Sequence, residues 1–353
     1  MQTRTVLRAT LAASTALALA ACGGRGSGAD DSDDGEAAAE GGGEESITLT
    51  IGHSQAATVP MNQGAERFKE LVDEGSDGRI TVEVYPAEEL GSEPEMMEGL
   101  TMGNVRIAIV ATAVAADTCP ELGVYALPYI LEGEGDRDQY ANLQELTGSD
   151  WNAGIVEACA EDTGYRVIDN AWWYGNRNLT TAGTEVGEPG DMSGLVIRTP
   201  PADLHTMAIQ DFGAEAVPMP FSEVYSALDT GVIDGQENPI STIYQNALYE
   251  VQDNLTLTRH MTQNQTVLMD EEFFSGLSEE DQELILTSIR DAGEFQSDLQ
   301  LTTNEEELEL LREEGMNVVT PDIEPFRAAT EASVDEHLSG LDMSRDQITE
   351  LQN

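Results

Sequence analysis

The sequence predicts an α/β fold in which two α/β lobes are joined through a long helix. Three observations predict it. Residues 47–113 alternate between strand and helix patterns, a second alternating set begins at about Tyr165, and a helical pattern with few breakers extends from Leu277 to about Gly315. Alternating strands and helices are typical of doubly wound α/β domains. A continuous helix over the last stretch would be roughly 55 Å long, more than the width of one small domain. We therefore expect it to cross both lobes.

The first set has the order β-α-β-α-β. Apolar residues alternate with polar ones over 47–51 and again over 80–85, which predicts two strands. Between them, the apolar residues Ala65, Phe68, Leu71 and Val72 mark one face of a helix.

A second helix is predicted near 93–102. The apolar run 105–113 then predicts a buried parallel strand.

The second set begins with predicted strands over 165–170 and 194–199. Ser222 is predicted to cap a helix over 223–230 that ends at Gly231. The long helix has a clearer start, because Ser278 is followed three residues later by Asp281, an N-cap followed by an acidic N3 residue.

The charge of the chain excludes some classes of partner. The 353 residues contain 67 Asp and Glu against 16 Lys and Arg, a formal net charge of −51, and Lys69 is the single lysine. Such a chain repels nucleic acid and anionic lipid surfaces, both of which attract Lys and Arg. Residues 46–353 hold 13 basic and 59 acidic residues, so the acidity belongs to the folded part. Because about 1 M salt screens charges beyond roughly 3 Å, the composition predicts a halophilic protein, with an ordinary acidic protein in ordinary salt as the alternative.

The N-terminus has the pattern of an export signal. Arg4 and Arg8 precede an apolar run over 9–21, which is too short to span a bilayer. The run ends in Leu19-Ala20-Ala21-Cys22, which resembles a bacterial-type lipobox with Cys22 as the lipidated residue. We predict a lipoprotein signal peptide over 1–22, an acidic flexible linker over 23–45, and anchoring to the outer face of the cytoplasmic membrane. A plain cleaved signal peptide is the alternative.

Cys119 and Cys159 remain after Cys22 is set aside. Export into an oxidising compartment makes a disulfide between them possible, and two buried free thiols are the alternative.

The usual catalytic and metal-binding patterns are missing from the sequence. The four histidines are scattered, with no HExxH and no zinc spacing, and there is no phosphate-binding loop. The pentapeptide beginning Gly52-His53-Ser54 resembles a nucleophile elbow, but no triad partner can be nominated. We therefore expect no enzyme activity, no cofactor and no metal.

The rare cations are more informative than the abundant acids. Arg177 follows two tryptophans and a tyrosine after a predicted strand, and Arg198 closes a predicted strand just before Pro200 and Pro201. A guanidinium held at a strand end by stiff backbone suits bidentate binding of a carboxylate. A structural salt bridge to one of the many acids is the alternative.

A longer motif provides the context for these arginines. Residues 218–239, PMPFSEVYSALDTGVIDGQENP, resemble the motif of the solute-binding proteins of TRAP transporters, the DctP family. Four further landmarks follow the family order: YP…LG from Tyr85, ALPY from Ala126, Asn176-Arg177, and IRTP from Ile197. The resemblance extends from about Ile47 to the C-terminus.

The resemblance implies a periplasmic-binding-protein-like fold, whose two lobes are joined by hinge strands and a long connecting helix and close over a small organic acid. It implies that Arg198 bridges the ligand carboxylate, with Arg177 as a second cationic contact. The other implied ligand contacts are Asn238, Phe221, His53, Ser54, Ala111, Thr112 and Glu93.

Sialic-acid-binding members usually have Asn at the position of Ser54 and Glu at that of Thr112. This difference, with Trp172 and Trp173 near Arg177, suggests a less polar first lobe and a smaller or more apolar mono- or dicarboxylate. Trp173 is thus a further candidate ligand contact, with a place in the core as the alternative for either tryptophan.

We expect one lobe to comprise 46–174 and 264–302, and the other 175–263 and 303–353. The implied role is a monomeric extracytoplasmic receptor that passes its ligand to the small and large TRAP membrane subunits. A sensor of the same fold and an enzyme that clamps a carboxylate substrate with arginine are the alternatives.

Overall fold

The computed structural model describes residues 46–352. The strands are β1 (Ile47–His53), β2 (Ile80–Tyr85), β3 (Ile107–Ala111), β4 (Tyr165–Thr181), β5 (Val196–Thr199), β6 (Glu215–Pro218), β7 (Gly235–Asn238), β8 (Asn254–Asp270) and β9 (Asn317–Val319). The helices are α1 (Pro60–Gly75), α2 (Glu93–Thr101), α3 (Thr112–Ala116), α4 (Asp136–Thr147), α5 (Asp150–Thr163), α6 (Asp203–Asp211), α7 (Val224–Asp229), α8 (Ile240–Gln245), α9 (Glu271–Ser275), α10 (Glu279–Glu313), α11 (Glu324–Gly340) and α12 (Arg345–Leu351). Short 3-10 helices span Pro120–Ala126, Pro189–Met192, Phe221–Glu223 and Leu248–Glu250.

Within this part of the chain, all strands belong to one sheet of order β2-β1-β3-β8-β4-β7-β5-β6, with β9 paired to β8. The first half of the sheet, β2-β1-β3, is parallel, and so is the second half, β7-β5-β6. Between them β8 and β4 run antiparallel to each other and to the strands that flank them. The predicted α/β class is confirmed.

Two long elements connect the halves. β4 and β8 each have 17 residues and pair over most of that length, with several register shifts. Helix α10 has 35 residues and packs against α1 beside the first half and against α8 beside the second. The Ser278 side chain accepts the Asp281 N–H at 3.1 Å, as the predicted cap requires.

Most of the predicted elements are present. The strands predicted over 47–51 and 80–85 form β1 and β2, and the buried parallel strand predicted over 105–113 is the shorter β3, whose residues are all buried. β4 continues eleven residues beyond its predicted end at 170 and includes the polar segment 176–178. This segment stays in the strand because β7 and β8 pair with β4 there, on either side of it.

The predicted helix cap at Ser222 is wrong. Ser222 lies inside the 3-10 helix Phe221–Glu223, and α7 begins at Val224 without a side-chain cap. The Ser222 N–H instead donates to the Glu88 carboxylate at 3.2 Å. The Ser222 N–H is therefore satisfied by the distant Glu88 side chain, whereas the local pattern predicted that Ser222 begins a helix.

The hydrophobic core between the sheet and helices α1 and α10 depends on close packing around Trp172. This side chain is fully buried, and its Nε1 donates to the Ile289 carbonyl at 3.3 Å. Gly64 of α1 and Gly293 of α10 face the indole from the two helices. A Cβ at Gly293 would lie 2.3 Å from Trp172 Nε1, and one at Gly64 would lie 2.8 Å from the ring. Both helices therefore approach Trp172 closely because these positions lack a side chain.

Cys119 and Cys159 form a disulfide, with a Cα–Cα distance of 5.6 Å. It joins α5 to the segment that leads into the 3-10 helix Pro120–Ala126. The predicted signal peptide (1–22), linker (23–45) and lipidated Cys22 lie outside the described residues.

Among the described residues, no helix combines the length and the apolar character that a membrane span needs. Over the same residues, no group of three or more His, Cys, Asp or Glu side chains could hold a metal ion.

We expect Gly293→Ala to lower the free energy of unfolding by about 1–3 kcal/mol, because the added methyl group overlaps Trp172. Denaturant unfolding of the purified protein measures this change. The matched control is Gly154→Ala in α5, where an added Cβ would meet nothing within 4 Å. That substitution should stabilise the protein by up to about 1 kcal/mol through helix propensity. Equal effects of the two substitutions would contradict close packing at Gly293.

Candidate functional site

A cavity lies where the carboxyl ends of the parallel strands of the two halves face each other. Ser54 follows β1 and Ala111 ends β3 in the first half, while Pro200 follows β5 and Asn238 ends β7 in the second. Ligands of open α/β sheets bind outside the carboxyl ends of strands. The floor between the halves is formed by side chains of the long strands, listed as Tyr174 and Arg177 of β4 and Gln263 and Gln265 of β8.

Arg198 is the cation of this cavity that has no acidic partner. Its side chain is buried, and its Nε and Nη2 both donate to the Met219 carbonyl, at 2.9 and 2.6 Å. Among residues 46–352 no carboxylate lies within 4.0 Å of its guanidinium, and the Phe221 ring centroid lies 5.7 Å from Cζ. Burial, together with the charge of Arg177, lowers its pKa to about 10, so it remains protonated at neutral pH. The Met219 contacts fix the plane of the guanidinium and leave Nη1 for a ligand oxygen.

Arg177 is held very differently. Its Nη2 donates to Glu237 Oε1 at 2.7 Å, its Nε donates to Glu237 Oε2, and its Nη1 donates to Gln263. Burial alone would raise the pKa of the Glu237 carboxyl, but Arg177 and His205 lower that pKa well below its ordinary range. Glu237 is therefore ionised and cancels the charge of Arg177.

The first half of the sheet contributes a half-buried acid. Glu93, the first residue of α2, accepts hydrogen bonds from Ser54 Oγ at 2.7 Å and from the Ala111 N–H at 3.1 Å. Burial raises the pKa of Glu93 because the charged form loses its hydration.

A second acid reaches across the cavity. Glu88 follows β2 in the first half, and its carboxylate accepts the N–H groups of Phe221 and Ser222 in the second half, each at 3.2 Å. Ala87 and Glu88 have φ angles of +53° and +60°, a left-handed backbone that directs the Glu88 side chain over the cavity. These bonds connect the two sides directly.

The remaining polar lining is uncharged: Ser54, Gln55, Ser92, Asn238, Gln263 and Gln265. The cavity volume is about 30 Å³. This is room for about one or two water molecules, so a ligand of several carbons requires the two sides to move apart.

The structure brings seven of the ten predicted ligand contacts to this cavity: Arg198, Arg177, Asn238, Phe221, Ser54, Ala111 and Glu93. The other three lie outside its lining. His53 uses its ring nitrogens locally, with Asn62 Oδ1 and the Gln55 N–H each at 3.2 Å, and burial lowers its pKa to about 4. Thr112 donates to the Asn264 carbonyl at 3.0 Å.

Trp173 is fully buried in the apolar core, where it packs edge-on against Tyr140. This is the core alternative that the sequence left open for it.

Several lining residues were not found from the sequence, namely Glu88, Ser92, Tyr174, Gln263 and Gln265. A signal for the last two exists in hindsight. Residues 262–266 are all polar yet lie within a long buried strand, and buried polar side chains need partners or a ligand. No comparable signal marks Glu88, because acids are common throughout this chain.

Comparison with known proteins agrees with this geometry. Residues 51–340 match the family model DctP, bacterial extracellular solute-binding protein, family 7. The sialic acid-binding periplasmic protein SiaP of Vibrio cholerae is 30% identical over 282 residues, which cover 80% of this chain and 85% of that protein.

Two solved structures have the same two-lobe fold. One is a TRAP periplasmic solute binding protein from Roseobacter denitrificans with bound L-galactonate, at 29% identity and a TM-score of 0.79, covering 88% of this chain and 99% of that one. The other is a TRAP periplasmic solute binding protein from Anaerococcus prevotii with bound D-glucuronate, at 26% identity and a TM-score of 0.79, covering 86% and 98%. The fold is therefore periplasmic-binding-protein-like, with two α/β lobes, and the chain belongs to the DctP family of TRAP transporter solute-binding proteins.

Proposed function

We propose that this protein is an extracytoplasmic receptor that captures a hydroxylated monocarboxylate between its two lobes and delivers it to TRAP membrane subunits. The observation that carries the proposal is Arg198, a buried guanidinium with no carboxylate partner at the carboxyl ends of the strands. Burying a charge without a counter-ion is costly, so a site that does so is suited to an anionic ligand. Binding, without chemical conversion, is the proposed activity.

The charges of the cavity favour one carboxylate over two. Arg177 is neutralised by Glu237, so Arg198 alone offers a net positive charge to a ligand. Glu88 and Glu93 line the same cavity, and a second carboxylate on the ligand would face them. Two like charges about 4 Å apart repel by about 1–4 kcal/mol, and by more where less water screens them. The site is therefore matched to a monocarboxylate.

The uncharged lining favours a ligand with hydroxyl groups. Serine, asparagine and glutamine side chains surround Arg198, and they donate to and accept from hydroxyls. The relatives bound to L-galactonate and D-glucuronate support a sugar acid. The less polar first lobe expected from Ser54 and Thr112 is not observed, because Thr112 lies outside the cavity while Gln55, Ser92 and Glu93 line it.

We retain the predicted lobes, 46–174 with 264–302 and 175–263 with 303–353, as the bodies that close over the ligand. The lipobox pattern ending at Cys22 supports anchoring by lipid to the outer face of the cytoplasmic membrane. A tethered receptor stays close to its membrane subunits, which raises its effective concentration there.

Thermal unfolding of the full chain in molar KCl, with a panel of hexonates, hexuronates and C4 dicarboxylates, tests the ligand class. A hexonate or hexuronate at about 100 times its dissociation constant should stabilise the protein by about 2.7 kcal/mol. A panel in which only dicarboxylates stabilise the protein would contradict the proposed class.

Arg198→Ala should weaken binding of the best panel ligand at least about a hundredfold, because a buried charge-assisted hydrogen bond pair is lost. Arg198→Lys should also weaken it, since an ammonium cannot form the planar fork. Isothermal titration calorimetry measures both.

The control for these variants is Arg312→Ala, an exposed arginine of α10 paired with Glu309, which should bind as the wild type does. Unchanged affinity in a folded Arg198→Ala protein would refute the assignment.

Glu93→Gln should improve binding of a dicarboxylate relative to a monocarboxylate by about tenfold, because one repelling charge is removed. The raised pKa of Glu93 makes this effect depend on pH. As pH falls, wild-type Glu93 becomes protonated at a higher pH than an ordinary glutamate does, and the difference in dicarboxylate preference between the wild type and the variant should narrow. If the ratio of dicarboxylate to monocarboxylate affinity is the same for the wild type and the variant at every pH, Glu93 does not select the ligand.

Saturating ligand should reduce the radius of gyration of the wild type in small-angle X-ray scattering. The closed cavity of about 30 Å³ cannot admit a sugar acid, so ligand entry requires an open form, and the ligand then favours closure. Arg198→Ala at the same ligand concentration should show no compaction. An unchanged wild-type radius would contradict closure on binding.

A further inference from the structure

A second cavity, of about 460 Å³, lies apart from the ligand cavity and shares no lining residue with it. Its walls are the segment 129–135, part of β8, and the beginnings of α11 and α12. Thr262 of β8 lines this cavity, whereas the next residue, Gln263, lines the ligand cavity. Successive side chains of a strand point to opposite faces, so the two cavities lie on opposite sides of β8.

Three arginines from separate elements line this cavity: Arg259 of β8, Arg327 of α11 and Arg345 of α12. The whole chain has 16 cationic residues against 67 acidic ones. In the lining of this cavity the balance is reversed, since Glu132 and Glu134 are its two acids. Only the tertiary fold brings these arginines together, because they are distant in sequence.

Their acidic neighbours leave many of their donors unused. Arg345 bonds Asp335 through Nε at 2.8 Å, and Arg327 approaches Glu324 through Nε at 3.6 Å. Within residues 46–352, the Nη1 and Nη2 atoms of Arg327 and Arg345 make no hydrogen bond. Arg259 contacts Asp136 through Nη2 alone. The three side chains are 35–45% exposed and accessible from solvent.

The Arg327 guanidinium is also oriented. It lies over the Tyr129 ring, 4.8 Å from the centroid. Tyr129 is itself held at both ends, since its hydroxyl donates to the Thr258 carbonyl and its N–H donates to the His260 carbonyl, each at 3.1 Å. A guanidinium stacked on a ring keeps its edge free to donate to a planar oxyanion.

We propose that this cavity is a second binding site, for a small organic anion that carries at least two carboxylate or phosphate groups. Its volume is in the range of small-molecule sites and exceeds the needs of a single inorganic ion. Guanidinium groups bind carboxylates and phosphates in the same bidentate way, so both anion types fit the lining. Each of the three arginines lies beside one carboxylate, but their unused Nη donors offer a polyanion several contacts, in contrast to the single available cation of the ligand cavity.

Isothermal titration of the full chain with citrate, and separately with inorganic pyrophosphate, tests the site and distinguishes carboxylate from phosphate. One or both probes should bind in a saturable 1:1 manner, more weakly as KCl is raised from about 0.2 to about 1 M. The double variant Arg327→Gln with Arg345→Gln should weaken that binding at least about tenfold. The matched control, Arg67→Gln with Arg312→Gln, removes two arginines of similar exposure, 39% and 41%, that lie outside the cavity and should leave probe binding unchanged.

The two sites are separated by their own variants. Arg198→Ala should retain citrate or pyrophosphate binding, and the Arg327/Arg345 double variant should retain binding of the monocarboxylate found in the panel. The test of the second site therefore does not depend on whether the first site binds a monocarboxylate. The second site is overturned if neither probe binds, if the control pair weakens binding as much as the cavity pair, or if Arg198→Ala abolishes probe binding.

Discussion

The antiparallel pairing of β4 with β8 is the constraint on which the rest of this structure depends. Within residues 46–352, the parallel strands of one half do not pair with those of the other half, and the two long strands join them into one sheet. The pair also forms the floor of the ligand cavity through Tyr174, Arg177, Gln263 and Gln265. Because the same strands form both the connection and the floor, a change in the angle between the halves necessarily changes the shape of the site.

Arg177 and Arg198 show that the neighbours of a buried arginine decide whether it can bind a ligand. Both are buried, but Arg177 is cancelled by Glu237, whereas Arg198 donates to the Met219 carbonyl, lies over the Phe221 ring and forms no ion pair with a described carboxylate. A fully paired arginine has its donors occupied within the protein, and one without a carboxylate partner is available to a ligand. With Glu88 and Glu93 in the same cavity, the single available cation is the basis of the proposed preference for one ligand carboxylate.

Because acidic residues greatly outnumber basic ones, the partners of each arginine are informative. Most described arginines pair with a carboxylate, for example Arg166 with Glu271 and Arg106 with Asp270. Arg198 in the ligand cavity has no such partner, and the arginines of the cavity behind β8 use only part of their donors for their carboxylates. A chain so rich in acids can bind anions only where the fold leaves arginine donors unused, and concentrated salt would screen the repulsion from the remaining acidic surface. The halophilic character itself remains a prediction.

The sequence by itself determined the α/β class, the positions of β1, β2, β3 and α10, and the family, because these follow from local periodicity, the Ser278 cap and a contiguous motif. It also singled out Arg198, since a cation is rare in this chain. Only the tertiary structure decided that Arg177 is neutralised, that Glu88 reaches Phe221 and Ser222, and that Trp173 belongs to the core. It likewise brought Arg259, Arg327 and Arg345 together. The physical reason is that pairing, burial and convergence are set by side chains far apart in the chain, and a local pattern holds no information about which distant carboxylate will lie beside a given guanidinium.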